Sequence, residues 1–489
     1  MTTTIKILKR VALFVFPAVL LLSSGCKKFL NVNQDPNNLD AAQPSQLLPT
    51  VEVGIGVVVG GDYYTYGNMW AQYFTQSTIG SQYKSIDQYL QQNADFNYSW
   101  MHLYQTALIN AQLMISNSTG NSSYVQFLAI GYVLKAYTLQ LATDAFGDVP
   151  NAEALQGTAN KNPTYDKQQI VYDSIFSLLE KGKALMNNLD PNNPGAADVI
   201  FQGDMNRWIA FANTLELRAY LRLTQVDPAT AQAGVQALYA SNASFLATNA
   251  EITYTSTGGN QNPFYNEEVG LGKTINLFAS QTVISAFLRN NDARQFALFD
   301  SVSGSGTTAI KALAQGASNA FTNVIFSTPS ALVAGDPQDP NSALAPVFLI
   351  SQSESDFLQA EAIARGWGQG SASSMFTAGI QASFAADGIL DSATTYIANA
   401  PDAQFPASGL PSQLQAIITQ KYYAMCGSQG FEAWTEWRRT GYPSFFVPSA
   451  ANGGRTYPLR FLYPLSEVTG NTNYPGTVPE TTPVWWDAH

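Results

Sequence analysis

Apolar residues along this chain recur mostly at helical spacing. In "YVQFLAIGYVLKAYTLQLATDAFG" (124–147), Phe127, Leu128, Val133, Leu134, Tyr137, Leu141 and Ala145 trace a wide apolar face, which predicts an amphipathic to fully buried helix. The stretches 168–186, 207–226, 354–367 and 412–427 read the same way. Alternation of the strand type is rare, and "EITYTST" (251–257) is its clearest case, with Ile252 and Tyr254 on one side. Small residues stand beside aromatics or between them, as in Ala136-Tyr137 and the Ala-Glu-Ala of 360–362. That suits helices packed as antiparallel pairs in the manner of tetratricopeptide arrays, although no strict period of about 34 residues runs through the chain. Pro-, Gly- and Asn-rich stretches interrupt the helices at 255–272, 301–345 and 441–486. The pattern predicts a mainly α scaffold of helical pairs with large irregular insertions and little β, the insertions being where binding functions tend to sit.

The N-terminus adds an address. Lys6, Lys9 and Arg10 precede an apolar run from Val11 to Leu22, and "SSG" leads to Cys26. The run is shorter than the roughly 20 residues of a spanning helix and has the flanks of a secretory signal. A cysteine directly after Ser-Gly resembles a bacterial lipobox, with Ser23 where the usual leucine stands. The expected organisation is therefore a signal peptide over 1–25, a lipidated Cys26 with a flexible tether over 26–44, and one domain over 45–489. Removing the three basic residues of the leader from the total of 24 leaves 21 basic against 35 acidic, a formal charge of −14. That balance argues against nucleic acid as a partner, since phosphate binding needs a basic footprint. Charged residues make up 12% of the chain, about half the usual share of roughly 25%. The polar surface is then carried by amides and hydroxyls, which suits uncharged polar ligands. With Cys26 acylated only Cys426 remains, so no intrachain disulfide is expected.

Much familiar chemistry is missing. The histidines are His102 and His489, and His102 in "YSWMHLY" reads as an amphipathic helix position. There is no His-Glu-x-x-His run, cysteine cluster or Walker loop, so neither cofactor nor metal is expected. "GIGVVVGG" (54–61) lacks the spacing of a dinucleotide site and reads as small residues for close packing of a helix or turn. The 35 acids leave a two-carboxylate glycosidase open, but no pair is marked out. The most unusual stretch is "GFEAWTEWRRTGYP" (430–443). On a helix, Phe431, Trp434 and Arg438 share one face, while Glu436 and Arg439 are i, i+3 partners on another. Gly441 and Pro443 are stop signals. Tryptophans bury large apolar area, so Trp434, Glu436, Arg438 and Arg439 are read as scaffold rather than as a site.

Several segments together resemble the SusD/RagB family of lipoproteins: "YVLKAYTLQLATDAFGDVPNAEA" (132–154), "RWIAFANTLELRAYLRL" (207–223), "ESDFLQAEAIARGW" (354–367), "QKYYAMCGSQGFEAWTEWRRTGYP" (420–443) and "YPLSEVTGN" (463–471). They lie in order from residue 26 to 487 with "CKKFLNVNQDPN" at the start and "PVWWD" at the end. The resemblance implies a tetratricopeptide-like helical fold anchored at the outer membrane. It also implies binding of oligosaccharides or peptides, and a seat over a SusC-like TonB-dependent transporter, with no catalysis; a helical scaffold or lid of that transporter without ligand affinity of its own is the alternative reading.

A sugar ring presents an apolar C–H face and a polar rim, so capture calls for flat aromatics surrounded by amides and hydroxyls. Two loop stretches offer both. The stretch 75–100 supplies Gln82, Tyr83, Tyr89 and Asn93, and the stretch 257–270 supplies Asn260, Asn262, Phe264 and Tyr265. "DYYTYGNMW" (62–70) places Tyr63, Tyr66 and Trp70 at helical spacing and reads as core.

Overall fold

The structure, a computed structural model, describes residues 42–302 and 309–487. The leader, Cys26 and nearly all of the 26–44 tether lie outside the described residues. From Gln43 onward the chain forms one compact unit.

Helices carry it, where the periodicity predicts them. The segment Val125–Phe146 is buried on almost every side, as an all-round apolar helix must be. It packs along Gln168–Leu185, and that helix meets Met205–Arg222. The last begins at Asp204, whose carboxylate accepts from the backbone N–H of Asn206 (2.9 Å) and Arg207 (3.2 Å), an N-cap that satisfies two otherwise orphaned donors. Pro228–Ala240 follows with Asp227 as cap and proline in its first turn. The C-terminal half pairs Gln352–Ala364 with Ala372–Ala386 and lays Leu410–Ala424 against both. These pairs are the tetratricopeptide-like scaffold. The described residues hold only short strands, in two antiparallel two-stranded sheets. Phe74–Gln76 pairs with Leu277–Ala279, and Ala250–Ile252 pairs with Val347–Ile350. The alternation at 251–257 thus yields a strand only through Ile252.

The glycine-rich run 54–61 belongs mostly to a helix, Pro44–Gly60. A Cβ on Gly56 would stand 2.9 Å from both Ile252 Cδ1 and the Tyr254 hydroxyl, so glycine lets the strand and its continuation close on the helix. The helix Asp62–Trp70 follows, and Gly430–Thr440 crosses it at Gly67 and Gly430. A Cβ on Gly67 would lie 2.1 Å from the Phe431 amide nitrogen, and one on Gly430 would lie 2.4 Å from that of Asn68. Neither position tolerates a side chain without parting the helices.

That crossing brings a buried ionic cluster into the middle of the apolar core. Trp434 and Arg438 are fully buried, with the Arg438 guanidinium 3.5 Å from the Trp434 ring centre and 4.8 Å from that of Trp486. Arg438 donates to the carbonyls of Asp144 and Leu459, each at 2.9 Å. Arg439 forks onto Glu361 (2.8 and 2.7 Å) and Glu436 (2.9 and 2.6 Å). Arg222 donates to both oxygens of Glu432 at 2.7 Å and also to Glu436. Burial alone would raise Glu436, but Arg439, Lys421 and Arg222 hold it well below the carboxylate range. Helices from both halves of the chain are clamped here, and both faces, that of Trp434 and Arg438 and that of Glu436 and Arg439, are closed to ligand.

Candidate functional site

A cleft of about 800 Å³ opens beside the helix Pro44–Gly60, within the range of ligand sites, roughly 300–1,000 Å³. One wall comes from Pro44–Gly60 through Val53 and Val57, and another from the extended chain 252–255. Gln202 and Val199 close a third side. That wall is fixed from below. Asp198 accepts from the backbone N–H groups of Ile200, Phe201 and Gly203 at 3.0, 2.9 and 2.8 Å, and Glu52 accepts from that of Val199 at 2.8 Å. Gln202 sits with φ 54, a left-handed conformation, at this rim.

The polar lining is mostly neutral: Thr253, Thr255, Asn260, Gln261 and Asn266 with Gln202. Two aromatics line the cleft, Tyr254, which is half-buried, and Tyr98, which stands open. Tyr98 is 53% exposed and lies on the short helix Asn97–Met101, just before a π-helical segment His102–Leu108. Such segments are frequent at functional sites. The His102 ring meets Tyr98 edge-on at 4.5 Å between centres, and burial lowers the His102 pKa, disfavouring its charged form. The acids Asp62 and Glu267 also belong to the lining, and among the described residues no basic one does. Burial first, then the negative charge of Glu267, pushes Asp62 up to about 7, although Ser99 hydrogen-bonds to it.

The structure brings together the two stretches that the sequence nominated, but largely through other residues. Asn260 lines the cleft and is exposed. Tyr83 does not. It is 5% exposed, and its hydroxyl stands within hydrogen-bond distance of Glu267 (2.9 Å) and Glu268 (2.6 Å), tying one stretch to the other from beneath. Tyr89 is buried against Tyr457, its hydroxyl accepting from the Ser449 amide at 3.0 Å. Phe264 is buried 4.6 Å from the Tyr64 ring centre. Tyr265 is buried with its hydroxyl accepting from Lys273 at 2.9 Å. These four aromatics offer no free face for stacking, because each fills core volume. Asn262 caps the helix Pro263–Gly270 and donates to the Ala345 carbonyl at 2.8 Å. Asn93 donates to the Tyr463 carbonyl at 2.6 Å. Gln82 is exposed but is not part of the lining. Tyr98, Asp62, Asn266 and Glu267 are among the lining residues the sequence reading passed over.

A family profile described as SusD-like, "Starch-binding associating with outer membrane", matches residues 36–464. Among curated proteins none matches. Among solved structures, a chitin-binding protein superposes with a TM-score of 0.76 at 24% identity, covering 91% of this chain and 100% of its own. A chitin-binding SusD homolog from Flavobacterium johnsoniae gives 0.74 at 24% identity, with 90% and 98% covered. A SusD/RagB family protein from Bacteroides thetaiotaomicron gives 0.76 at 22% identity, with 91% and 99% covered. At these identities the structures speak for the fold. With the family profile spanning most of the sequence and the helical scaffold shared over about nine-tenths of the chain, the chain belongs to the SusD-like family of outer-membrane-associated binding proteins.

Proposed function

We propose that this chain is a lipid-anchored protein on the outer face of the outer membrane. It captures oligosaccharides in the cleft beside Tyr98 and passes them to a SusC-like TonB-dependent transporter. The observation that carries the reading is the lining: one open aromatic face within a rim of neutral amides and hydroxyls, the chemistry a pyranose requires. Two structural neighbours described as chitin-binding support a hexosamine polymer as the ligand. The protein acts as a binder rather than as an enzyme, and a peptide-binding role is disfavoured because the described lining offers no basic residue to meet a C-terminal carboxylate. Calorimetric titration of the purified chain against glycan and peptide oligomers tests this. Saturable binding in the micromolar to millimolar range by a glycan is expected, weakened about tenfold or more by Tyr98→Ala. Silence across the glycans, heat from peptides alone, or indifference to Tyr98→Ala would contradict it.

A further inference from the structure

Two acids in an otherwise neutral sugar cleft call for an explanation. Asp62 Oδ2 is buried without a hydrogen-bond partner, a state that native proteins rarely leave unexplained. Glu267 has Oε1 engaged by the Tyr83 hydroxyl, and both acids line the cleft beside Tyr98. A ligand built only of hydroxyls would give these carboxylates donors but leave two like charges uncompensated. An ammonium supplies both three N–H donors and the missing positive charge. An open tyrosine ring beside it adds attraction for a cation. A divalent metal would want six or more oxygen ligands, and among the described residues no group of three or more His, Cys, Asp or Glu is placed to hold one.

We infer that the Asp62–Glu267 side of the cleft is a subsite for a free amine on the captured glycan, a deacetylated hexosamine unit with its sugar face on Tyr98. The inference rests on the glycan-capture reading above and narrows it: the chain prefers partly deacetylated hexosamine polymers over fully N-acetylated ones. An N-acetyl group offers one N–H and no charge, so it satisfies the pair less well. The raised pKa of Asp62 agrees with an acid that waits for a cation, since an approaching ammonium favours its charged form.

The test is calorimetric titration of the purified chain near neutral pH with two hexamers, one of glucosamine and one of N-acetylglucosamine. The glucosamine hexamer should bind about tenfold tighter, the effect expected of charge-assisted hydrogen bonds. Glu267→Gln should cut that ratio to about twofold or less, and Asp62→Asn should do the same. Should the variant at the more buried Asp62 fail to fold, Val53→Lys serves instead. Val53 is 50% exposed at the rim, and a lysine there would compete for the pair and lower the ratio without disturbing the core. Equal or weaker binding of the glucosamine hexamer overturns the inference, as does a ratio unchanged in both Glu267→Gln and Val53→Lys. Lysine-rich peptides that bind as tightly as the glucosamine hexamer would overturn its glycan class. Binding of a neutral glucose oligomer with silence from both hexamers removes the amine subsite but keeps glycan capture, whereas silence from every glycan removes both.

Discussion

Replacing Arg439 by methionine probes the buried ionic cluster that holds the helical pairs together. The side chain is 1% exposed and gives four N–H bonds to Glu361 and Glu436. Methionine fills much of the volume but strands two carboxylates in the core. Breaking a buried pair from one side typically costs 3–5 kcal/mol. Here Glu361 keeps Arg365 at 2.8 Å, and Glu436 keeps Arg222 together with Lys421 at 3.4 Å, so the lower end, about 3 kcal/mol, applies. Unfolding entropy of about 2.1 cal/mol/K per residue over the unit Gln43–His489 gives roughly 0.9 kcal/mol/K, so Tm should fall by about 3 °C in scanning calorimetry. Arg439→Lys keeps the charge and loses the fork, and should fall between wild type and methionine. Adding Glu361→Gln to Arg439→Met removes one stranded charge and should recover part of the loss. A Tm change under 1 °C for Arg439→Met, or a lysine variant as stable as wild type, would refute the clamp.

Other consequences follow from packing and burial. Gly430→Ala forces a Cβ to 2.4 Å from the Asn68 amide nitrogen and should destabilise by about 1–3 kcal/mol or more in urea unfolding; an unchanged midpoint would mean that the two helices part freely. Asp356 is buried with Oδ2 unpartnered, and burial lifts its carboxyl to about 7. Between about pH 4 and 7 the native state holds a proton that the unfolded chain has released, so this acid lowers stability as pH rises through that window. Asp356→Asn should therefore gain on wild type with rising pH, by at most about 4 kcal/mol above pH 7, and a pH-independent difference would contradict the assignment.

How much of this was legible in the sequence depends on distance along the chain. The helices over 125–146, 168–185 and 410–424 follow from local periodicity. Pro44–Gly60 was harder, because Pro49 and its three glycines speak against a helix while tertiary contact holds it as one. The paired strands Phe74–Gln76 and Leu277–Ala279 lie some two hundred residues apart, beyond the reach of any local pattern. The cleft failed in the same way. Tyr83 and Tyr265 stand in polar, loop-like stretches yet are buried, since the partner of Tyr83 is Glu267 and 184 residues separate them. Tyr98 is the reverse case: it lies on a helix beside Trp100, yet it is Trp100 that is buried while Tyr98 faces out. Asp62 heads an aromatic helix that reads correctly as core, and only the approach of Glu267 makes it a lining residue.

The central claim is that ligand enters this cleft, and hydrogen exchange locates it most directly. Backbone amides would be followed by mass spectrometry in the purified chain with and without saturating N-acetylglucosamine hexamer, and with the glucosamine hexamer in parallel. Protection should concentrate at 97–102, 199–202 and 253–267, with the ionic cluster around Arg439 unchanged. Protection elsewhere, or none with a glycan that calorimetry shows to be bound, would place the site outside the cleft and contradict the account.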